Sequence, residues 1–472
     1  MVAVLRGLRD AGHEAALVGG CVRDLVRGTE PGDWDVTTSA PPEVVAALFG
    51  NSTWDNAFGT VTVRSGPMSV DVTTYRTEAG YRDARRPDEV RWGQSLDDDL
   101  ERRDFTINAV AWVPGDLEAG TGRLVDPHGG MADLSAGILR AVGDPDRRFG
   151  EDALRLLRAV RFAATLDLEL DPGTKAAIQR HAIAAAGLSG ERVRDELLRL
   201  LGADEPSVGV RLLEDLGLLP VVLPELAALR GVPQGKALGG DGLDHSTRTA
   251  DALPASDPIL RLAGLLHDVG KATTLADGHF HGHETEGVDL VQRRLEALRL
   301  PRADIARVVH LVRHHMIGYT PDWTDAALRR FVRRVGAGQA LDDLLALRRA
   351  DTAASVGPVA GDPALDELEA RLAAAQAGAV LDLHQLAVDG DDLQRELGLA
   401  PGRQIGALLD ELLEAVTEDP SRNERAALLA LARELAAAGA SAHHHGQPPP
   451  AEFHRGADTI GDPDRSEEPT PE

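Results

Sequence analysis

Residues 17–24 read Leu-Val-Gly-Gly-Cys-Val-Arg-Asp, which predicts a strand that runs into two glycines and then into a helix from about Cys21. Backbone amides at such a turn can approach a triphosphate closely, because glycine has no side chain and a helix N-terminus is electropositive. Arg23 could supply a charged fork to the same phosphates. Most Gly-Gly turns are only connections, so the prediction depends on the residues around this one.

Two carboxylates follow nine residues later, in Asp33-Trp34-Asp35-Val36. Side chains at i and i+2 of a strand share one face, so both carboxylates are expected to point the same way. Like charges that close together are unfavourable unless a cation neutralises them, and Mg²⁺ accepts a few carboxylates together with substrate phosphate oxygens. A bare Asp-x-Asp is more often an acidic surface turn. A third acid is expected on a neighbouring strand, either Asp71 or Asp104.

The run Arg102-Arg103-Asp104-Phe105-Thr106-Ile107-Asn108-Ala109 gathers two cations, an acid and an amide within one short segment. Such a run could hold a ribose and phosphates. The alternative for any one of these residues is an Arg–Asp pair that ties a strand to its neighbour.

A helix is predicted from Glu151 onward, where polar residues recur every three positions beside an apolar row. An Asp and an Arg one helical turn apart offer an acceptor and donors, which matches the exocyclic amino group and ring nitrogen of cytosine and adenine. The alternative is a helix decorated with i,i+3 ion pairs. The candidate base-recognition residues are Asp152, Arg155, Arg158 and Arg161.

Histidines and aspartates accumulate after a Gly-rich loop at 231–242. An apolar helix is predicted to end at His267-Asp268, with His245 upstream and Asp351 downstream, and this combination favours a metal site. Further ligands could be His283 or His281, together with one of His314 or His315.

Composition predicts a helix-rich protein with one small sheet, since 43% of the 472 residues are hydrophobic and only 3% are aromatic. A single cysteine excludes an internal disulfide, and no long uncharged apolar run is present, so a cytoplasmic protein without a membrane segment is expected. The net charge of −26 is awkward for a nucleic-acid binder unless charge is segregated. Arginines do cluster, at 147–161 and at 329–334, although such runs usually only solvate a helix face.

Four motifs in order resemble the class II tRNA nucleotidyltransferases, the family of CCA-adding enzymes and bacterial poly(A) polymerases. They are Gly-Gly-Cys-Val-Arg-Asp, Asp-Trp-Asp, Arg-Arg-Asp-Phe-Thr-Ile-Asn-Ala and Glu-Asp-Ala-Leu-Arg-Leu-Leu-Arg-Ala-Val-Arg-Phe. The resemblance spans roughly residues 17–200, and the histidine segment resembles the HD phosphohydrolases.

The resemblance implies an α+β fold in five segments. A DNA polymerase beta-like nucleotidyltransferase head (1–145) precedes a helical neck (146–240), an HD domain (241–355), C-terminal helices (356–440) and a disordered acidic tail (441–472).

The resemblance also implies the roles of individual residues. Catalysis would use Asp33, Asp35 and Asp71, and the first two would bind Mg²⁺. Nucleotide-binding residues would be Gly20, Arg23, Arg103, Asp104, Asn108, Asp152, Arg155, Arg158 and Arg161. The HD site would hold a divalent transition metal on His245, His267, Asp268 and Asp351.

The implied partners are tRNA, CTP and ATP, with no membrane. The expected activity is template-independent addition of C, C and A to the tRNA 3′ end. CC-only, A-only and poly(A) addition share the motifs, but Phe58 to Val63 lacks the basic pair usual in poly(A) polymerases, and the stretch from Tyr81 to Asp99 resembles a loop that CC-only members tend to lack. Two alternatives of another class are an HD phosphohydrolase that acts on RNA ends and a non-catalytic RNA chaperone.

Overall fold

The computed structural model describes residues 1–55, 59–79, 89–92, 95–235, 237–357, 362–377 and 379–444. Phe58, the stretch 81–87 and the predicted tail from 445 onward lie outside the described residues. The predicted α+β class is confirmed: the strands lie in the first part of the chain, and the rest is helical.

Eleven strands are described. They are β1 (Ala15–Val18), β2 (Trp34–Thr38), β3 (Ser52–Asp55), β4 (Thr60–Ser65), β5 (Met68–Thr74), β6 (Arg76–Ala79), β7 (Glu89–Trp92), β8 (Ala111–Pro114), β9 (Gly122–Val125), β10 (Ile138–Leu139) and β11 (Glu169–Leu170). The main sheet has the order β3-β4-β5-β2-β1-β8-β9. Only the β2–β5 pair in it is parallel, and this pair aligns Asp35 with Asp71.

Five helices belong to the head: α1 (Val2–Asp10), α2 (Gly20–Val26), α3 (Pro42–Leu48), α4 (Leu96–Glu101) and α5 (Gly130–Ala136). The side chains of β1 alternate between two apolar clusters, because successive side chains of a strand point to opposite faces. Ala15 and Leu17 pack with residues of α1, α2 and α3, whereas Ala16 and Val18 pack with Leu100 of α4. The sheet is therefore covered on both faces.

The following segment is helical, as predicted. It contains α6 (Pro145–Glu151), α7 (Leu154–Leu166), α8 (Pro172–His181), α9 (Gly190–Leu201), α10 (Pro206–Asp215), α11 (Leu219–Val222) and α12 (Pro224–Ala227). The chain breaks at Asp152 between α6 and α7, so the predicted continuous helix from Glu151 is wrong. Asp152 has an extended backbone, and its carboxylate accepts the amide of Leu154 at 3.0 Å, which starts α7.

The histidine segment contains α13 (Gly242–Asp251), α14 (Pro258–Leu266), α15 (Lys271–Thr274), α16 (His283–Ala297), α17 (Arg302–His314), α18 (Asp325–Val335) and α19 (Gln339–Val356). The last helices are α20 (Pro363–Gln376), α21 (Gly390–Leu397), α22 (Arg403–Glu418) and α23 (Arg425–His444). Short 3₁₀ turns occupy Thr106–Asn108, Ala182–Gly187, Leu383–Gln385 and Pro420–Arg422. The predicted helical limit near residue 440 is too early, because α23 continues to His444.

The chain forms two compact units: Met1–Trp323 with Arg334–Ala370, and Thr324–Arg333 with the residues from Arg371 onward. Head, neck and most of the histidine segment therefore share one unit. Thr324–Arg333, which lies inside the predicted HD segment 241–355, packs with the C-terminal helices. Arg329 explains why, since its buried guanidinium donates to the backbone oxygens of Thr417 and Glu418 at 2.6 and 2.9 Å.

Candidate functional site

The head carboxylates lie on the α4 side of the sheet. Val36 and Val72 face the opposite apolar cluster, so the adjacent Asp35 and Asp71 share the α4 face, and they are register partners on the parallel strands. Thr62 of β4 donates to Asp71 Oδ1 at 2.7 Å. Asp33 is exposed and directly precedes β2, rather than lying within the strand as predicted.

The negative charge on Asp35 is electrostatically unfavourable when no cation is bound beside it. Burial raises the pKa of Asp35 above its usual value, and repulsion from Asp71 and Asp33 acts in the same direction, while Arg103 opposes both. The three carboxylates are therefore close enough for their charges to interact. A donor set of partly buried carboxylates with unbalanced negative charge is one that a divalent cation fits.

The glycine turn lies beside these acids. Gly19 has φ +79°, which favours glycine, and a Cβ there would lie 2.7 Å from Arg103 Nη1 and 3.7 Å from Asp35 Oδ2. Gly20 begins α2. Arg23, one turn into that helix, is buried and donates through Nη1 to Asn108 Oδ1 at 2.7 Å. The turn, Arg23 and Asn108 are therefore brought together as predicted.

Asp99 is a buried acid that is not among the candidate site residues predicted from the sequence. It accepts Arg102 Nη2 at 2.5 Å and Arg103 Nη2 at 3.1 Å. Burial disfavours its charge, but the two guanidinium groups outweigh burial and hold the pKa of Asp99 below its usual value. Its i,i+3 and i,i+4 spacing to the arginines was a signal that could have identified it. Arg103 is thus held next to Asp35.

Asp104, the second candidate for the third acid, is directed elsewhere. It accepts Asn108 Nδ2 at 3.2 Å and Arg158 Nε at 2.7 Å. Burial disfavours its charge, yet Arg158 holds the pKa of Asp104 at about 2. The geometry therefore favours Asp71 over Asp104 as the acid beside Asp35.

The four candidate base-recognition residues do not form one polar stripe. Asp152 lies before α7 and accepts Arg192 Nη2 at 2.6 Å. Arg155 is buried and donates to Glu151 at 2.6 Å and to the backbone oxygens of Arg148 and Arg102 at 2.9 and 3.0 Å. Asp152 and Arg155 do not share one helix face in this structure, because α7 starts after Asp152 and the Arg155 side chain is directed toward Glu151 of α6.

Arg158 and Arg161 lie one turn apart and meet at Glu196 of α9. Arg161 Nε donates to Glu196 Oε2 at 2.5 Å, and Arg158 Nη1 is 3.9 Å from Glu196 Oε1. Sequence reasoning missed Arg192 and Glu196, since their partners lie about 40 residues earlier in the chain and no local spacing indicates the contact.

The histidine segment brings together two groups of three possible metal ligands, each with its ligand atoms within 4.8 Å of one another. These are His245, His267 and Asp351, and Asp268, His283 and His315. All four predicted ligands are included. Nε2 of His245 lies 3.0 Å from Asp351 Oδ1, and Nε2 of His267 lies 3.3 Å from Asp268 Oδ2. Within the described residues, the head acids form no such three-ligand group.

Three ring nitrogens of this cluster are oriented by the backbone. Nδ1 of His267, His283 and His315 lies 2.7, 2.8 and 2.7 Å from the carbonyl oxygen three residues earlier in each case. An Nδ1–H donated to a carbonyl leaves Nε2 with its lone pair, which is the form that binds a metal. Nε2 of His267 is buried without a hydrogen-bond partner among the described atoms. Each of the two groups could hold one divalent cation.

The structure also decides between the open alternatives. His315 belongs to the cluster, and His314 does not. The ring of His314 instead lies 4.6 Å from that of His310, one turn earlier on α17. His283 enters rather than His281, which stacks on His279. Burial disfavours charge on Asp268, but the surrounding imidazoles hold its pKa well below its usual value.

A cavity opens onto this cluster, and its lining includes two basic side chains. Lys271 Nζ donates to Asp268 Oδ2 at 2.6 Å, and Arg348 Nη1 donates to Asp351 Oδ2 at 3.0 Å. Phe280 and the exposed Met316 also line the cavity. A phosphate with an attached planar or apolar group suits such a lining.

The arginines at 329–334 are largely engaged within the second unit. Arg330 pairs with Glu414 and Glu418, and Arg333 donates to Glu414 at 2.9 Å. Together with the backbone contacts of Arg329, these bonds favour the simple alternative, a helix face tied to its neighbour, over a nucleic-acid surface. No helix in the described part of the chain is long and apolar enough to span a lipid bilayer.

Three family models match this chain. They are described as "Poly A polymerase head domain" at residues 15–140, "Probable RNA and SrmB- binding site of polymerase A" at 167–229, and "HD domain" at 242–353. The matches follow the order of the head, neck and histidine segments.

Similar proteins cover nearly the whole chain. An A-adding tRNA nucleotidyltransferase of Deinococcus radiodurans is 37% identical over 85% of this chain and 91% of its own length. A CCA-adding enzyme of Levilactobacillus brevis is 34% identical over 90% and 95%. Among solved structures, the CCA-adding enzyme of Bacillus stearothermophilus in complex with CTP aligns with a TM-score of 0.68 and 29% identity, over 93% of this chain and 98% of that one.

Proposed function

Because the chain belongs to the tRNA nucleotidyltransferase/poly(A) polymerase family, we propose that this nucleotidyltransferase adds C, C and A to the 3′ end of tRNA from CTP and ATP. The observation that carries the proposal is the alignment of Asp35 with Asp71 on one face of the sheet, next to the Gly19–Gly20 turn. Pyrophosphate would be the leaving group.

Each residue has a role in this proposal. Asp33, Asp35 and Asp71 would hold Mg²⁺, which when bound activates the attacking hydroxyl and neutralises the leaving pyrophosphate. A methyl group at Gly19 would meet Arg103, so glycine at this position lets the Arg103 guanidinium lie against the turn where the triphosphate would bind. Arg103, held by Asp99 beside Asp35, would bind phosphate oxygens.

The sugar would be positioned by the network behind the turn. Arg23 orients Asn108, and Asn108 is in turn bonded to Asp104, so these three side chains form one preorganised set. Arg158 fixes Asp104 from the other side. A nucleotide that binds here would meet groups already locked in position.

Base selection would use Asp152 and Arg155 after an exchange of partners. Asp152 would release Arg192, and Arg155 would release one of its three acceptors, so that an acceptor and a donor face the base edge. Cytosine and adenine both present an amino donor beside a ring acceptor, and uracil and guanine do not. Arg158 and Arg161, tied to Glu196, would brace α7 during this exchange.

Incorporation assays test the main proposal. Purified full-length protein with Mg²⁺ would receive tRNA ending at the discriminator base or ending in CC, with each nucleoside triphosphate singly and with CTP plus ATP. We expect two C additions on the first tRNA, one A on the second, and complete CCA with both nucleotides. Asp35→Asn should abolish all of them, whereas Asp304→Asn, an acid on α17 far along the chain, serves as the control.

The same assay separates complete CCA addition from A-only addition, which is the activity named for the Deinococcus relative. A-only addition would give no incorporation of CMP on the shorter tRNA. Long AMP tails without CMP would indicate poly(A) polymerisation instead. Either result would replace the CCA assignment while leaving the nucleotidyltransferase chemistry intact.

A second activity is favoured by the six converging ligands of the HD cluster, namely metal-dependent hydrolysis of phosphomonoesters or 2′,3′-cyclic phosphates. Bound divalent metals there would supply an activated water. Lys271 and Arg348 at the cavity would receive the phosphate. Release of phosphate or opening of a 2′,3′-cyclic nucleotide by metal-loaded protein, lost in His315→Ala but kept in His314→Ala, would support this activity. Equal rates in the two variants would contradict it.

A further inference from the structure

A groove between α16 and α17 is lined by polar and basic side chains together with the apolar Leu300, Ile305, Ala306 and Val309, and we call it the arginine groove. Six of its lining residues are Gln292, Glu296, Arg299, Arg302, His310 and Arg313. It shares no lining residue with the cavity of the HD cluster. The metal chemistry of that cluster therefore does not account for it.

The charge of the groove is not balanced internally. Arg299, Arg302 and Arg313 are exposed, and no hydrogen bond or ion pair joins their side chains to another residue in the described part of the chain. Glu296 is the one carboxylate that lines the groove, and it accepts Gln292 Nε2 at 3.0 Å.

Two arginines of the same helices, Arg294 and Arg307, are paired, whereas Arg293 of α16 is exposed and, within the described residues, unpaired like the three groove arginines. Arg294 of α16 is held by Glu225 at 2.8 and 3.0 Å, and Arg307 of α17 is held by Asp257 and Asp343. In a chain with a net charge of −26, carboxylates are abundant, yet the groove leaves three guanidinium groups without one. A polyanionic partner is what such a surface fits.

Arg299 adds an independent observation. Its backbone has φ +56°, in the left-handed region where a side chain costs energy and where glycine or asparagine is preferred. The Arg194 guanidinium fixes this turn by donating to the Arg299 backbone oxygen at 2.6 Å, a contact that needs no Arg299 side chain. The fold therefore does not require arginine at this position.

The groove is continuous with the neck. A Cβ at Gly190, the first residue of α9, would lie 2.0 Å from the backbone oxygen of Ala297, so α9 packs directly on the end of α16. Two residues further along α9, Arg192 bonds to Asp152. The first turn of α9 therefore connects Asp152, a candidate base-recognition residue, to the arginine groove. This turn lies within the segment that matches the RNA-binding family model.

We propose that the arginine groove binds the sugar–phosphate backbone of the tRNA whose 3′ end lies in the head domain. Arg299, Arg302 and Arg313 would each contact phosphate oxygens, which positions the RNA without reading its sequence. This inference rests on the proposed function. An RNA strand is favoured over a small anion, because the three guanidinium groups are spread over the turn before α17 and both ends of α17 rather than gathered at one point.

The test compares charge reversals that are matched in size and location. Arg302→Glu changes the groove, while Arg293→Glu changes an exposed, unpaired arginine of α16 that does not line it. With full-length protein and tRNA lacking its CCA end, Kd is measured between about 50 and 200 mM salt. We expect Arg302→Glu to raise the Kd for tRNA about tenfold. The magnitude of the slope of the logarithm of the association constant against the logarithm of the salt concentration should fall by about one. Arg293→Glu should do neither.

The Arg299→Gly variant tests whether misfolding, rather than a lost phosphate contact, explains weaker tRNA binding. It removes a guanidinium group and also relieves the left-handed backbone, so its Tm should equal or exceed that of the wild type while the tRNA Kd rises. At saturating tRNA, kcat and the KM for CTP should be unchanged in the Arg293→Glu control.

Equal Kd values and equal salt slopes for Arg302→Glu, Arg293→Glu and wild type would overturn the inference. A change in Kd with no change in slope would also overturn it, because the lost contact would then not be with phosphate. Failure of the proposed function is distinct from both, since it would appear as absence of nucleotide addition by the wild-type protein.

Discussion

Asp104 both stabilises the head and positions the side chains of Asn108 and Arg158. Its carboxylate is buried, accepts the Phe105 amide at 2.8 Å as well as Asn108, and faces Arg158. The network connects the 102–109 run to α7, which are separated by about 50 residues in sequence. Its loss should therefore be visible in the stability of the first compact unit.

We expect Asp104→Asn to lower the unfolding free energy at pH 7 by about 2 kcal/mol. The folded pKa of about 2 lies below the ordinary value of 3.8, so the ionised carboxylate stabilises the protein above about pH 4, and this contribution is lost as the pH falls toward 2. Urea unfolding of wild type and variant at pH 7, 5 and 3 measures it. A difference that grows as the pH falls would contradict the sign.

Asp35 has the opposite electrostatic character. Burial and the neighbouring carboxylates disfavour its charge, so Asp35→Asn should raise the Tm of the metal-free protein at pH 7 while incorporation of CMP and AMP is lost. Thermal unfolding in chelator, repeated with Mg²⁺, checks this: added Mg²⁺ should stabilise the wild type more than the variant. A variant Tm below that of the wild type in chelator would show that the Asp35 charge contributes to folding.

At the scale of elements, the α6–α7 junction carries the two residues that we propose for base selection. The break at Asp152 places its carboxylate at the start of α7, in contact with α9 through Arg192. Arg155 ties the same junction to α6. In the proposed function, base selection would therefore depend on three helices rather than on one helical stripe.

Asp152→Ala should reduce the preference for CTP over UTP about tenfold or more, because the acceptor for the cytosine amino group is lost. Single-nucleotide incorporation on one truncated tRNA, compared as ratios among the four triphosphates, measures this preference. Arg192→Ala is the matched control, since it breaks the same salt bridge but leaves the carboxylate in place. A uniform fall in rate with unchanged ratios in Asp152→Ala would mean that this residue only braces the junction.

The turn between α14 and α16 depends on close backbone approach at Gly270. A Cβ there would lie 2.0 Å from the backbone oxygen of His283, so α15 and α16 could not keep their packing. Gly270→Ala should therefore weaken divalent metal binding at the HD cluster by at least tenfold. Gly406→Ala in α22, where a Cβ has open space, is the control. Calorimetric metal titration that gives the same affinity for both would show that the cluster tolerates the shift.

At the scale of the whole molecule, head, neck and the HD cluster lie in one compact unit, yet their functional groups do not overlap. His267→Ala with Asp268→Ala should abolish hydrolysis of a 2′,3′-cyclic substrate and leave nucleotide addition within about twofold of wild type. Both rates are measured on the same preparation, with circular dichroism as a check of folding. Equal loss of both activities would mean that the cluster supports the whole unit through its packing.

The sequence by itself determined the order of segments, the helix-rich class, the glycine turn, the carboxylates at 33 and 35, and the histidine cluster, because local spacing decides which side chains share a face. Tertiary structure alone decided which distant residues meet. The β2–β5 register pairs Asp35 with Asp71, α9 brings Glu196 to α7, and the direction of α17 selects His315 over its neighbour His314. The reason is physical: spacing repeats within one element, whereas partners between elements depend on how buried surfaces pack.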